Sequence, residues 1–286
     1  MSLTDSSTRS LQIVSGSSSV TFTSPNLFTL RLPASGFRTS SKDECALKSL
    51  SLYYSWPNVS AALGNNSFSY SYDGVTYPVV MADGIYQFSE LQSYFELVMG
   101  QNGHYLVNTD GQRVYFINLT VNSVLYCLSL TVTPVPSILP VGWSNPAGMS
   151  LTGVTPTLNV TGEISTLMGF APASYPAAPQ AGLFQLNSGI PQISHVSSLN
   201  VTSNICTNSG LSLYSDVLAT FVLPDTQRPG TLVQIQPNNL DWVSVQKAQT
   251  FTEVTVAIVD QLHRPVHIRD PSGFVCTINV RRIPSS

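Results

Sequence analysis

The residues best equipped for chemistry lie near the C-terminus, in the segment VDQLHRPVHIRD. His263 and His267 are four residues apart, and Asp260 and Asp270 lie on either side of them. On a helix this spacing places two imidazoles on one face, as a zinc site requires. Pro265 lies between the histidines and removes a helical hydrogen bond. A turn between two strands is therefore the stronger interpretation, and a metal site is the weaker one.

Other catalytic patterns are weaker still. The segment GMSLTG, residues 148–153, does not have the G-x-S-x-G spacing of a nucleophile elbow. The glutamates are isolated from one another, and the sequence contains no P-loop, dinucleotide fingerprint, EF-hand or zinc-finger spacing. We therefore expect no enzyme activity and no cofactor.

The composition indicates a surface that other molecules cover. Charged residues make up 9% of the 286 residues and hydrophobic residues 43%, and the net charge is −3. An ordinary globular domain is about 25% charged. The lysines are Lys42, Lys48 and Lys247, so we expect no basic field for sequence-independent nucleic-acid binding and no sequence-specific readout.

Targeting signals, cysteines and glycosylation sequons give little further evidence about function. The N-terminus has no apolar stretch after a positive region, and no segment reaches the roughly 20 apolar residues of a membrane span, so we expect a soluble protein that is made inside the cell and has no membrane span. Four cysteines lie far apart in apolar runs, which predicts buried, reduced thiols: Cys45, Cys127, Cys206 and Cys276. Five N-x-S/T sequons are expected by chance in a chain this rich in Asn, Ser and Thr.

Short runs of β-branched and aromatic residues predict many strands. The predicted strands are Val20–Phe22, Leu27–Leu32, Ala46–Ser55, Ser67–Tyr72, Tyr77–Ala82, Arg113–Val121, Val124–Val132, Ser198–Cys206, Val217–Leu223, Thr252–Val259 and Phe274–Val280. The Asp73-Gly74 pair predicts a hairpin over residues 67–82. Many short antiparallel strands of this kind predict a β-sandwich or jelly roll.

Helices are few. FSELQSYFELVMGQNG predicts a helix over residues 90–99 with Ser89 as its N-cap, and TGEISTLMGF predicts a shorter one that ends at Gly169. Prolines concentrate in residues 134–195, and because proline removes a ladder donor we expect no central strand there. The predicted architecture is all-β: one antiparallel jelly-roll β-sandwich over residues 1–286, with one helix in a long loop and a Pro-rich excursion at 134–195.

Three stretches resemble a known family when they are taken in order. The first is LKSLSLYYSWPNVSAALGNNSFSYSYDGVTYPVVMADGIYQFSELQSYF, in which a strand ends in a polar turn, an Asn-Asn pair precedes an aromatic strand, and a Gly-x-Tyr pattern leads into a helix. The second is LMGF with the later SSLNVTSNICTNSG, and the third is VTVAIVDQLHRPVHI, similar to a closing hairpin. The matching positions are Trp56, Asn58, Asn65, Asn66, Phe68, Tyr70, Gly84, Tyr86, Leu91, Gly169, Phe170, Asp260, Arg264 and Pro265.

Together, over residues 45–282, these stretches resemble the penton, the single jelly-roll minor capsid protein, of the virophage and Polinton-like lineage of double-stranded DNA viruses. His263 departs from the pattern, which has a small residue in the turn. The resemblance implies a structural virion protein: a homopentamer at the vertices of an icosahedral capsid, surrounded by double jelly-roll major capsid proteins.

A second hypothesis remains open beside it. A jelly-roll head could attach the particle to host surface glycans, and Trp56, Trp143 and Trp242 could stack on sugars, although aromatic residues are more often buried in a core or interface. Exposed tryptophan faces would distinguish this function from a purely structural one.

Overall fold

The computed structural model describes residues 8–207, 216–223, 227–245 and 247–283. The chain divides into two compact units: unit 1 is Met1–Trp56 with Val196–Ser286, and unit 2 is Pro57–His195. Each unit has a hydrophobic core of its own. The predicted excursion at 134–195 lies within unit 2, and its assignment to one domain covering residues 1–286 stays a prediction.

Strands dominate the described residues. In chain order the elements are β1 Arg9–Val14, β2 Val20–Ser24, β3 Leu27–Arg31, β4 Phe37–Arg38, β5 Asp43–Tyr53, a 3-10 helix Ala61–Leu63, β6 Ser67–Tyr72, β7 Val75–Val80, α1 Phe88–Gln101, β8 Leu106–Val107, β9 Arg113–Val114, β10 Ile117–Asn122, β11 Cys127–Val132, β12 Thr157–Val160, α2 Glu163–Met168, β13 Ala173–Tyr175, β14 Phe184–Asn187, β15 Ser198–Ser203, β16 Val217–Val222, β17 Leu232–Ile235, β18 Val243–Ser244, β19 Thr250–Phe251, β20 Glu253–Asp260 and β21 Val275–Arg282.

Unit 1 is a jelly roll. One sheet has the order β1-β21-β5-β17, with β18 also paired to β5, and the other has the order β16-β15-β20-β3-β2. The chain therefore passes repeatedly between two antiparallel sheets, crossing after β1, β3, β5, β16, β18 and β20, as expected for interlocked Greek keys. The predicted all-β, antiparallel jelly-roll class is confirmed.

The core of unit 1 lies between these sheets. Val254, Val256 and Ile258 alternate along β20 and are fully buried, as expected for a strand with one face inward. Phe28 of β3 stacks face to face on Phe274, which precedes β21, with ring centroids 3.4 Å apart. This stack joins residues of the two opposing sheets.

Unit 2 consists of two smaller sheets, a two-stranded ladder and both α-helices. Its sheets have the orders β13-β12-β6-β7 and β10-β11-β14, and β8 pairs with β9. The hairpin predicted at residues 67–82 is confirmed, since β6 pairs with β7 around Asp73 and Gly74, both with positive φ. The helix α1 buries Leu91, Phe95 and Met99 on one face.

The prediction of no central strand within residues 134–195 is wrong. Strand β12 is an interior strand, paired with β6 on one side and β13 on the other. Its four residues contain no proline, so every backbone donor stays available, and Pro156 lies just outside the strand. The prolines thus delimit a short strand without interrupting it.

Both predicted helices are confirmed, but one cap is not. α1 begins two residues earlier than expected, with Gln87 in place of Ser89 as its N-cap. The Glu90 carboxylate accepts a hydrogen bond from the Gln87 backbone N–H at 2.6 Å, which is one half of a capping box. α2 ends at Gly169, as predicted, in the left-handed conformation.

The closing hairpin within VTVAIVDQLHRPVHI is short, with the Val266 N–H donating to the Ile258 carbonyl at 3.2 Å, and it does not extend to β21. Strands β20 and β21 lie in different sheets of unit 1. Both edges of β20 are already paired, one with β15 and the other with β3, so no edge is left for β21. After a turn, Pro265 makes one bridge back to Val259, and the chain then crosses to the other sheet.

We predict that Phe274→Ala lowers the free energy of unfolding by about 3–5 kcal/mol, because it removes a large buried ring from the contact between the sheets. Urea denaturation followed by circular dichroism measures the change. Phe22→Ala is the matched control, since Phe22 is 40% exposed and lies at the rim of the same cluster. An effect of Phe274→Ala no larger than that of Phe22→Ala would contradict the assignment.

Candidate functional site

In the C-terminal segment, residues 260–264 form a turn that closes around the Asp260 side chain. Its carboxylate is buried and accepts hydrogen bonds from the backbone N–H groups of Leu262 and Arg264 at 2.9 and 2.8 Å, and from Arg264 Nε at 2.8 Å. The Asp260 backbone N–H donates to the Arg264 carbonyl at 2.9 Å. His263 lies in the left-handed region, with φ of 61°. A histidine therefore occupies a position that ordinarily favours a small residue.

The histidines of this segment do not converge with its acids. His263 Nε2 lies 3.7 Å from Asp216 Oδ1, and His267 is exposed. The Asp260 carboxylate is taken up by the turn itself. Across the described residues, no group of three or more His, Cys, Asp or Glu side chains could hold a metal ion.

A second group of motif residues forms an asparagine clamp, which we define as Asn58, Asn65, Gly84 and Tyr86. The Asn58 amide donates to the Tyr86 carbonyl at 2.8 Å, and its oxygen accepts from the Tyr86 N–H at 2.8 Å. The Asn65 amide donates to the Asn58 carbonyl at 2.8 Å. A Cβ at Gly84 would lie 2.8 Å from the Tyr86 ring, so a side chain there would displace this ring.

The other motif residues lie in cores or caps. Gly169 ends α2, and a Cβ there would lie 2.7 Å from the Gly189 carbonyl oxygen, so a side chain does not fit. Asn66 donates to the Met81 carbonyl at 3.3 Å. Those that are buried in hydrophobic cores are Trp56 in unit 1 and Phe68, Tyr70, Leu91 and Phe170 in unit 2. The structure thus places the motif residues in separate structural groups and not in one site.

The asparagines of the five sequons make hydrogen bonds that the sequence did not predict. Every one of their amides donates a hydrogen bond inside the fold: Asn58, Asn65, Asn118, Asn159 and Asn200. Asn58, Asn65 and Asn200 are also buried. These asparagines satisfy backbone carbonyls and hydroxyls, which composition alone does not predict.

Unit 2 contains a tyrosine cage around His104 that sequence reasoning missed. The His104 ring stacks on the Tyr72 ring with centroids 4.0 Å apart, and it packs edge-on against the Tyr77 ring with centroids 4.6 Å apart. Asn102 Nδ2 donates to the Tyr70 hydroxyl at 2.8 Å, and that hydroxyl lies 2.8 Å from His104 Nδ1. Since the amide is only a donor, the hydroxyl proton is directed at Nδ1, which favours the neutral imidazole.

Burial shifts the pKa values of this cage. Desolvation lowers the pKa of His104 from its ordinary 6.5. Desolvation also raises the pKa of Tyr70 to about 12, against a lowering effect of the Asn102 hydrogen bond. The cage is therefore uncharged at neutral pH.

The four cysteines are free and buried, as predicted. Burial raises the pKa of Cys276 to about 12. A contact with the Cys206 side chain, together with burial, raises the pKa of Cys45. Thiols held in the neutral form are poor nucleophiles, so their placement gives no support to a catalytic role.

A buried carboxylate in unit 1 joins both ends of the chain. The Asp43 side chain is fully buried and contacts Arg9 at 3.2 Å and Arg282 at 3.3 Å. Burial raises its pKa, but hydrogen bonds from Ser40 and Arg282 outweigh this effect and hold the pKa below 3.8. No sequence pattern pointed to this cluster, because its residues come from three distant segments.

Two surface depressions offer no acid or base. The larger, about 230 Å³, lies between β11 and β14, and the other, about 180 Å³, lies beside Phe22 and Phe28. Neither is lined by His, Cys, Asp, Glu or Lys. Hydroxyl, amide and apolar groups alone do not provide general acid-base chemistry.

Apolar residues are exposed on unit 2. The turn between β10 and β11 presents Val124, Leu125 and Tyr126 in succession, with Val124 84% and Tyr126 76% exposed. Ile138, Val141 and Ile190 are also exposed. Consecutive exposed apolar side chains are typical of surfaces that contact another molecule.

The tryptophans present no such surface. Trp56 is buried, while Trp143 and Trp242 are partly buried. The Arg281 guanidinium covers the Trp242 ring at 4.0 Å. The glycan hypothesis therefore lacks the open tryptophan faces on which it was based.

The fold is a jelly roll in which a second unit, with a hydrophobic core of its own, is inserted between β5 and β15. No family model and no curated protein matches the chain. Among solved structures, it is similar to the crystal structure of the selenomethionine-labelled mavirus penton protein, with 10% sequence identity and a TM-score of 0.44 over 96% of this chain and 98% of that one. None of the described helices is long and apolar enough to cross a membrane.

We predict that Asp260→Asn lowers the free energy of unfolding by about 2 kcal/mol, since it removes the charge that three N–H groups share in a buried position. Chemical denaturation measures the effect. Arg264→Gln is the control, and because this arginine is half-exposed its effect should stay below about 1 kcal/mol. Equal effects of the two variants would contradict the role of Asp260 as the centre of the turn.

We predict that acid destabilises unit 2 through His104. Its pKa is lower in the folded state, so the unfolded chain binds more protons below pH 6.5, and stability falls as the pH decreases from 6.5 towards the folded pKa. His104→Phe should flatten this part of a plot of melting temperature against pH. The control is His267→Gln, which changes an exposed histidine, and an unchanged slope in His104→Phe would contradict the prediction.

Proposed function

We propose that the chain is a structural virion protein, the pentameric vertex capsomer of an icosahedral double-stranded DNA virus. It would be located at the capsid vertices, with itself and a double jelly-roll major capsid protein as partners. It would have no enzyme activity and no cofactor.

The observation that carries this proposal is the surface of unit 2. The unit contains six acidic residues, one arginine and no lysine, and it exposes apolar side chains such as Val141, which is 97% exposed. A soluble monomer rarely leaves this combination uncovered. Repeated contact with neighbouring subunits would cover it with little charge to desolvate.

The jelly roll of unit 1 supports the same function. Its strand order agrees with the fold that the sequence resemblance to pentons implies. The matching residues Asn58, Gly84 and Tyr86 contact one another and shape the backbone. Such positions preserve a shape, which is what a capsomer requires.

Fivefold assembly sets a requirement on the contacts. Subunits around a cyclic axis meet head to tail, with one patch of each against a different patch of the next, and the ring closes after five. A permanent contact of this type buries about 2,000 Å² or more. The glycan-binding alternative has less support, because none of the three tryptophans is exposed.

We predict that native mass spectrometry of the purified protein gives a mass of five copies of the 30.9 kDa chain. Because the contacts contain few charges, the pentamer should persist between about 0.1 and 1 M NaCl, where surface ion pairs are screened. Size-exclusion chromatography with light scattering checks this range. A strict monomer at high protein concentration would overturn the proposal.

A further inference from the structure

The structure gathers positive charge in a way that the sequence conceals. Arg9 of β1 and Arg282 of β21 both contact the Asp43 carboxylate, and Arg9 Nη1 donates to the Arg38 carbonyl at 2.9 Å. Two arginines from distant segments thus contact one buried acid, and the backbone of Arg38 lies beside Arg9. All three are exposed to solvent.

Two lysines lie at the same end of the sheet. The Lys42 carbonyl accepts from the Ile283 N–H at 2.9 Å, directly beside Arg282. The Lys247 carbonyl accepts from the Thr39 hydroxyl at 2.7 Å, directly beside Arg38. Both lysines are exposed. We call Arg9, Arg38, Lys42, Lys247 and Arg282 the basic end of unit 1.

The basic end has a large excess of positive charge. It holds five of the 12 lysine and arginine residues of the chain, and Asp43 is the carboxylate that it encloses. Two further carboxylates nearby have cations of their own: Glu44 pairs with Arg281 at 2.8 Å and Glu253 pairs with Arg31 at 3.3 Å. The five cations are therefore only partly neutralised.

We propose that the basic end binds the phosphate backbone of double-stranded nucleic acid without reading its sequence. Phosphate contacts use Arg and Lys side chains together with hydroxyl and backbone N–H groups. Ser41, between Arg38 and Lys42, is exposed and places a hydroxyl group among the cations. The proposal rests on these residues of unit 1 and not on the proposed capsid function.

The aromatic residues at this end favour a duplex over a single strand. Arg9 lies over the Phe37 ring at 4.4 Å, and Arg281 lies over the Trp242 ring at 4.0 Å. Each ring is partly buried and has a cation over one face, whereas single-stranded nucleic acid is bound by bases that stack on open aromatic faces. A protein partner likewise prefers aromatic or aliphatic anchors at the centre of its interface.

The proposal is tested with a labelled random-sequence DNA duplex of about 30 base pairs, titrated with the protein between about 50 and 200 mM NaCl and followed by fluorescence anisotropy. Five phosphate contacts per subunit predict that the logarithm of the binding constant falls against the logarithm of salt with a slope of about −4 to −5. In the variant Arg38→Gln/Lys42→Gln/Lys247→Gln the slope should become shallower by about 3, with binding at least about 10-fold weaker at the lowest salt.

A matched control removes the same charge elsewhere in unit 1. Lys48→Gln/Arg228→Gln/Arg269→Gln changes three exposed residues, of which Arg228 and Arg269 lie near the opposite end of β5, close to Tyr54 and Ser55. This variant should keep the slope of the unchanged protein to within about 1, because those residues lie outside the basic end.

Three results would overturn the proposal: no duplex binding at the lowest salt, an equal loss in both triple variants, or binding to anionic phospholipid vesicles without binding to the duplex. Native mass spectrometry of the same variants tests separately whether they still form the pentamer of the proposed capsid function. If a variant loses duplex binding but remains pentameric, the loss is explained by the basic end and leaves the capsid proposal unaffected.

Discussion

The structure of unit 1 depends on one constraint: two sheets without helical cover must bury their apolar faces against each other. The stack of Phe28 on Phe274 joins residues of the two opposing sheets. The chain satisfies the constraint by crossing repeatedly from one sheet to the other, so that strands such as β20 and β21 pair with strands distant in sequence. Trp56 and Val196, where the chain leaves and re-enters unit 1, are both buried in this core.

Specific polar contacts hold the crossings in place. The Asp260 turn ends β20 with its carboxylate fully used, and Asp43 ties β1 and β21 to the start of β5. Both carboxylates form their hydrogen bonds inside the fold and so stabilise its shape. A stable shape suits a capsomer, whose function is to make repeated contacts with its neighbours.

Local features were predictable from the sequence and long-range ones were not. Asp73-Gly74 determines its own hairpin, and the spacing of Leu91, Phe95 and Met99 determines a helix. Strand β1 escaped prediction because only Leu11 and Ile13 mark its buried face. Which sheet β21 joins depends on which distant strands pair with each edge of that sheet, and the cluster around Asp43 depends on the same long-range pairing. No local sequence pattern encodes this pairing. The structural contacts of the motif residues, such as those between Asn58 and Tyr86, depend on the fold and could not be read from the sequence.

We propose that this jelly roll closes into a fivefold ring. Single-particle electron microscopy of the purified protein tests it most directly, because class averages viewed along the axis reveal the symmetry without any assumption about mass. We expect averages with five subunits around one axis. Particles that contain one subunit, or rings with a different number of subunits, would contradict it.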